Sequence, residues 1–115
     1  MESSQLVDLV ERLRSIGTDT MDVEVESAAH ELPRRLARTV SSFANTHGGT
    51  IILGLDESTD FTLVDGFKAK NMADSLATVC RDHVTPSISP DIDIVDFEDG
   101  QVCLLYTSDA ADDLL

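Results

Sequence analysis

Three arginines near the middle of the chain have the type and spacing to bind phosphate. Arg34, Arg35 and Arg38 form the basic cluster of a sequence that contains only 8 lysines and arginines. On one flank of a helix, such guanidinium groups can follow a nucleic-acid backbone, because each neutralises a phosphate and releases its counterions. The alternative is a solvated helix face whose arginines pair with nearby acids. Both interpretations stay open at the level of sequence.

The double glycine Gly48-Gly49 offers a second way to hold an anion. Two residues without Cβ let backbone N–H groups approach a phosphate closely. The alternative is structural: Gly48 adopts a left-handed conformation after a helix, and the chain then begins a buried strand. We favour the structural role, because phosphate loops normally precede a helix N-terminus, where the dipole helps. Neither GxxxxGK[ST] nor GxGxxG occurs, so the sequence gives no support to an ATP site.

The charge balance works against nucleic-acid binding when it is taken alone. The 115 residues include 22 acids against 8 bases, a net charge of -14, and such a surface repels phosphate backbones. With one Tyr, four Phe and no Trp, the core must be aliphatic, and no aromatic platform is available on which single-stranded bases could stack. The length fits a single small domain.

Cysteine usage and hydropathy indicate a reduced, cytoplasmic compartment. Cys80 and Cys103 lie in apolar contexts without CxxC spacing, so we expect neither a disulfide framework nor a thiolate metal site. There is no signal-peptide core and no apolar run of about 18 residues. We therefore expect no membrane partner.

Hydrophobic periodicity predicts one compact α/β (or α+β) domain, a mixed sheet with helices packed on it, in the order α-β-α-β-α-β-β. The run from Thr50 to Leu55 is apolar without alternation, which is typical of a central strand covered on both faces. A slip in alternation between Ile94 and Val95 suggests a bulge. The predicted helices are 5–16, one that begins at 32–34 with Pro33 in its first turn and ends at the double glycine, and 71–84; the predicted strands are 22–26, 50–55, 91–97 and one that starts at 101.

The C-terminal segment Cys103 to Asp113, CLLYTSDAADD, resembles the conceptual translation of a transposase-based sequencing adapter. On that interpretation residues 103–115 are a non-native tail, and the natural domain is truncated near Val102. The alternative is a genuine strand, CLLY, followed by an acidic tail.

Five stretches together resemble one family: GTDT (17–20), VEVESA (23–28), LPRRL (32–36), SSFANTHGGTIILGLDE (41–57) and GF (66–67). They are similar to the AlbA_2 family of proposed DNA-binding domains. This module is shared by Schlafen proteins and by many bacterial proteins that have also been described as divergent AAA ATP-binding proteins. The resemblance divides the chain into an N-terminal amphipathic helix (1–16) and an AlbA_2-like domain (17–102).

The resemblance also implies a site. In Schlafen relatives the same module looks like the core of an RNA-cleaving enzyme with a catalytic trio of acids, and those positions correspond here to Asp19, Glu24 and Asp56. Clustered carboxylates are suitable ligands for Mg²⁺ or Mn²⁺ in phosphodiester hydrolysis. One position departs from the family pattern: Glu26 stands where relatives usually carry a lysine that could contact phosphate or hold the acids together.

Three functions follow as hypotheses. The first is a nucleic-acid-binding regulatory module, the N-terminal part of a longer bacterial protein, in which the arginines and the double glycine contact DNA or RNA. The second is a metal-dependent endoribonuclease that uses the acidic trio. The third is a protein-interaction domain without nucleic-acid activity, which the acidic surface favours.

Overall fold

Three helices and six strands form the part of the chain that the computed structural model describes, residues 1–84 and 90–107. The helices are Ser3–Ile16 (α1), Leu36–Ala44 (α2) and Ala69–Asp82 (α3). The strands are Val23–Glu26 (β1), Gly49–Leu53 (β2), Leu55–Asp56 (β3), Thr62–Leu63 (β4), Asp91–Phe97 (β5) and Gly100–Thr107 (β6). A short 3-10 helix, Glu57–Thr59, lies between β3 and β4. Residues 85–89, between α3 and β5, lie outside the described residues.

Four strands form one mixed sheet in the order β1-β2-β6-β5. Strand β1 runs parallel to β2, and β6 is antiparallel to both of its neighbours. Strands β3 and β4 pair with each other as a separate two-stranded sheet. The predicted α/β domain with a mixed sheet and packed helices is confirmed.

Helices cover both faces of the sheet. Helix α1 packs on one face against Ile52 of β2, while α2 and α3 pack on the other against Ile51 and Leu53. Because successive strand residues point to opposite faces, a strand between two helix layers must be apolar at every position. All five residues of β2 are buried, which confirms its central place.

The central strand ends at Leu53, just before Gly54, which is earlier than the sequence pattern suggested. Gly54 has φ +108°, and a Cβ there would lie 2.8 Å from the ring of Phe67. Its N–H donates to the carbonyl of Glu26 (2.9 Å), and its own carbonyl accepts from the N–H of Val64 (2.8 Å). The chain therefore leaves the four-stranded sheet here, and Asp56 lies in β3 rather than at the end of the buried strand.

The predicted bulge in β5 is wrong. Its pairing with β6 is regular from Asp91 to Phe97. The apolar alternation slips because this edge strand meets two different cores: Ile92 packs with the α2–α3 layer, whereas Val95 and Phe97 pack with the α1 layer. The apolar residues switch from one face of the strand to the other because the two ends of β5 pack against different helix layers.

Residues 103–107 belong to strand β6. Cys103, Leu104 and Leu105 are buried, and they pair with the central strand β2 as well as with β5. These five residues thus fill a position inside the sheet. The assignment of 103–115 as an adapter-derived tail stays a prediction, and residues 108–115 lie outside the described part of the chain.

Candidate nucleic-acid interface

Helix α2 sets the position of the arginine cluster. Its apolar residues Leu36, Val40 and Phe43 are buried at helical spacing against the sheet, so the intervening positions face outward. The helix begins at Leu36, later than predicted, because Pro33 lies in a preceding turn whose carbonyl accepts from the N–H of Leu36 (3.1 Å). Arg34 and Arg35 consequently precede the first helical turn.

The three arginines line one open cleft of about 790 Å³ beside α2. The cleft continues along α2, where it is lined by Ser41, Ser42 and Asn45. Its far side is lined by His83 and Val84, which follow the last residue of α3. We call this cleft the arginine groove. Hydroxyl, amide and guanidinium groups in a row along one helix are the types that bind phosphate and sugar oxygens.

The arginines of the groove differ in their partners. Arg35 forms an ion pair with the carboxylate of Glu26. Among residues 1–84 and 90–107, neither Arg34 nor Arg38 has a carboxylate oxygen within 4.0 Å. The alternative of a helix face neutralised by nearby acids therefore describes Arg35 only, and two guanidinium groups remain available for an external anion.

The polar wall of the groove was missed at the level of sequence. Ser41, Ser42 and Asn45 follow Arg38 at spacings of three, four and seven, which place them on the same helix face. That periodicity was a usable signal. His83 carries no such signal, since it reaches the groove from another helix, and only the fold brings it there.

The double glycine lies in a different cleft from the arginines, of about 510 Å³, next to the N-terminal half of α1. Gly48 has φ +80°, the left-handed conformation that was predicted. Its N–H donates to the carbonyl of Phe43 (2.9 Å) and so is already used within the protein. Both glycines are buried, and a Cβ on Gly49 would lie 2.6 Å from the ring of Phe43.

These contacts indicate a structural role for the glycines, which is to leave room for neighbouring groups. The helix ends at Ala44, and residues 45–47 separate it from the double glycine, so the glycines do not cap the helix directly. Gly49 lets the Phe43 ring lie against the first residue of the central strand. The assignment of Gly48 and Gly49 to nucleic-acid contact remains a prediction that these contacts do not favour.

Two of the three carboxylates expected at the site lie near each other. Glu24, on edge strand β1, has a pKa raised to about 7, chiefly by burial and further by the neighbouring carboxyls of Glu26 and Asp19. Arg35 acts in the opposite direction and lowers the same pKa. The structure therefore brings Asp19, Glu24 and Glu26 together at the open edge of the sheet.

Asp56 lies in an adjoining cleft of about 560 Å³ that also contains Glu26, Arg35 and Ser58. Its carboxylate accepts hydrogen bonds from the backbone N–H of Ser58 (2.9 Å) and from its hydroxyl (2.6 Å), so it caps the 3-10 helix. We call this cleft the acidic cleft.

Within the described part of the chain, no three His, Cys, Asp or Glu side chains form a group that could hold a metal ion. Asp56 shares its cleft with Glu26, whereas the pKa of Glu24 responds to Asp19 and Glu26. The assignment of Asp19, Glu24 and Asp56 as catalytic residues or as ligands of Mg²⁺ or Mn²⁺ stays a prediction.

The family model described as Schlafen, AlbA_2 matches residues 18–114, which is most of the chain. The chain belongs to the Schlafen AlbA_2 family. This confirms the resemblance on which the site residues were assigned. No curated protein sequence is significantly similar to this AlbA_2 domain.

Several solved structures share its fold, among them two that match most of this chain. The first is the solution structure of the N-terminal domain of a RecG-related protein from Nitrosomonas europaea, with a TM-score of 0.68 and 21% identity; the match covers 89% of this chain and 71% of that one. The second is the crystal structure of the DIP2311 protein from Corynebacterium diphtheriae, with a TM-score of 0.52 and 21% identity. The match covers 94% of this AlbA_2 domain but only 26% of the DIP2311 chain. At these identities the likeness shows the fold alone.

No helix among residues 1–84 and 90–107 is both long enough and apolar enough to cross a membrane.

Proposed function

We propose that this AlbA_2 domain binds nucleic acid through the phosphate backbone, in the arginine groove. The observation that carries the proposal is that Arg34 and Arg38 have no acidic partner among the described residues, in a chain with a net charge of -14. In so acidic a protein, two cations side by side without an acidic partner mark the place where an external polyanion is best accommodated.

The groove suits the backbone better than the bases. Among the described residues its lining contains no Phe, Tyr or Trp, and the imidazole of His83 is its single ring, so bases have little on which to stack. The first turn of α2 carries no acid, and the partial positive charge at a helix N-terminus favours a phosphate there. We therefore propose binding that is strongly salt-dependent and largely independent of sequence.

The domain is best understood as the N-terminal module of a longer cytoplasmic bacterial protein. The Nitrosomonas europaea relative is itself an N-terminal domain, and its name relates the parent protein to an ATP-dependent DNA helicase. A weak backbone-binding module of this kind would hold a neighbouring domain close to DNA or RNA, because tethering raises the effective concentration of the second contact.

A titration tests the proposal. The purified chain is added to fluorescently labelled DNA duplex, single-stranded DNA and RNA, and fluorescence anisotropy is followed at several salt concentrations. We expect binding to at least one of them that weakens steeply as salt increases. If none of the three is bound even at low salt, the proposal fails and the protein-interaction hypothesis becomes the better one.

A metal-dependent ribonuclease is a second candidate, and one observation favours it. Arg35 lines both the arginine groove and the acidic cleft, so the groove proposed to hold a phosphodiester backbone adjoins the cleft that contains Glu26 and Asp56. Incubation with tRNA and Mn²⁺ tests this candidate, with Asp56→Asn as the comparison. Cleavage that is absent from the wild type, or that survives this substitution unchanged, contradicts the role assigned to Asp56.

A further inference from the structure

Arg35 differs from the other two arginines of the groove because it forms an ion pair with Glu26. The Glu26 side chain is only 12% exposed, and it is held in place on β1, whereas the Arg35 guanidinium is 63% exposed at the junction of the arginine groove and the acidic cleft. Arg34 and Arg38 have no such partner among the described residues. A phosphate that reaches Arg35 must therefore compete with a carboxylate that is already in contact.

We infer that Glu26 is an internal competitor for phosphate, which limits the groove to two phosphate contacts, and that removing its charge adds a third contact through Arg35. This inference rests on the proposed function, since it concerns how many phosphates the same groove contacts. The bound group is a phosphodiester backbone. The competitor is the Glu26 carboxylate. Its ion pair with Arg35 is present whether DNA or RNA binds in the groove.

The geometry explains why Glu26 can compete although the solvent reaches Arg35. An exposed ion pair gains little, because water screens it and both side chains lose rotamer freedom. Here one partner is fixed: the Glu26 carboxylate sits on a short strand that pairs with the central strand β2, so only the arginine side chain has to be ordered. Separation of the pair would leave a largely buried carboxylate without its cation, which opposes transfer of Arg35 to phosphate.

The salt dependence of binding counts the contacts directly. Each neutralised phosphate contributes about −0.9 to the slope of log K against log salt on duplex DNA. The wild type should therefore show a slope of roughly −1.8, and Glu26→Gln, which keeps the size of the side chain, a slope of roughly −2.7. At low salt the same substitution should tighten binding about three- to tenfold, and the double variant Glu26→Gln/Arg35→Gln should lose that gain.

A charge-matched control separates competition from overall repulsion. Glu31 is exposed, lies two residues before Pro33 and forms no ion pair with any described residue, so Glu31→Gln changes the net charge equally. We expect its slope to match that of the wild type. An equal gain for Glu31→Gln would overturn the inference, because net charge alone would then explain it.

The wild type provides a test even if Glu26→Gln fails to fold, a point that circular dichroism settles for each variant. A wild-type slope of roughly −2.7, the value for three phosphate contacts, means that Arg35 already binds phosphate. That result contradicts the inference. Wild-type binding with a slope that Glu26→Gln leaves unchanged contradicts it too, while the proposed function stands. If neither the wild type nor Glu26→Gln binds, the proposed function itself fails.

Discussion

Arg35 contacts Glu26, and this contact joins the residue that precedes helix α2 to the last residue of edge strand β1. The family resemblance implies a lysine in this strand, two residues after Glu24; this chain has Glu26 there, and Arg35, which precedes α2, supplies the positive charge in its place. The replacement keeps a positive charge beside the acids, and it lowers the pKa of Glu24 against the effect of burial. It also places the arginine groove and the acidic cleft on either side of one guanidinium.

The raised pKa of Glu24 makes stability depend on pH. The folded protein holds this proton up to pH about 7, while the unfolded chain releases it near the ordinary value of 4.5. Between these values the folded state binds more protons, so the contribution of Glu24 is fully present at low pH and is lost as pH rises through 7. Because solvent screens this partly exposed group, we expect the change to be about 1–2 kcal/mol.

Glu24→Gln measures this contribution. Urea unfolding at several pH values should show that the variant gains stability relative to wild type as pH rises from below 5 to 8. Glu11→Gln, at an exposed position on α1, is the matched control for net charge and should give a nearly constant difference. A Glu24→Gln difference that does not vary with pH would show that the carboxyl titrates normally.

Gly49 should not tolerate a side chain, although its backbone needs no special conformation. A Cβ there would lie 2.6 Å from the ring of Phe43, which is itself buried in the α2–α3 core. We expect Gly49→Ala to reduce the free energy of unfolding by about 1–3 kcal/mol, because the ring must leave its place. Chemical denaturation measures the change.

The cause is checked by a double-mutant cycle. Phe43→Leu removes the ring, so Gly49→Ala should cost less in that background than in the wild type, by roughly 0.5 kcal/mol or more. Additive costs would mean that the clash with Phe43 is not the reason for the glycine.

Arg14 is expected to hold the turn that leads from the 3-10 helix to β4. Its guanidinium donates to the carbonyls of Asp60 (2.9 Å) and Phe61 (3.1 Å) and forms an ion pair with Glu98. Asp60 and Phe61 both have positive φ, at 61° and 59°, a conformation that non-glycine residues keep only with support from their surroundings. Phe61 is 1% exposed and belongs to the α1 core.

Arg14→Lys keeps the charge but cannot reach all three acceptors, so we expect it to lower the free energy of unfolding by about 1–3 kcal/mol. The matched control is Arg12→Lys, at an exposed position on the same helix, which should change stability by less than about 0.5 kcal/mol. Equal effects of the two substitutions would remove the turn-holding role of Arg14.

The spacing of apolar residues predicted much of this fold, because it indicates which side chains are buried. The apolar stripe of α2, the fully buried strand β2 and the left-handed Gly48 were all readable, since each depends on residues that are close in sequence. The phase change in β5 was visible too, but its cause was misjudged. A bulge and a change of packing partner leave the same mark, and only the sheet order distinguishes them.

The candidate site was less predictable, because partners there come from distant parts of the chain. The sequence grouped the arginines with the double glycine, whereas the fold places them in separate clefts. It offered no sign that Arg35 would pair with Glu26 or that His83 would line the groove. Glu26 and Arg35 are nine residues apart, at the two ends of an irregular connection between β1 and α2, so no helix or strand periodicity indicates that their side chains meet.

The arginine groove is tested most directly by removing Arg34 and Arg38, the two groove cations that form no ion pair with residues 1–84 or 90–107. Arg34→Ala/Arg38→Ala is compared with Arg12→Ala/Lys70→Ala, which removes two exposed cations outside the groove. The salt dependence of binding to a DNA duplex is then measured for both. We predict that the groove variant loses nearly all of the wild-type slope of roughly −1.8, while the control keeps it. Equal slopes for the two variants would contradict backbone binding in the arginine groove.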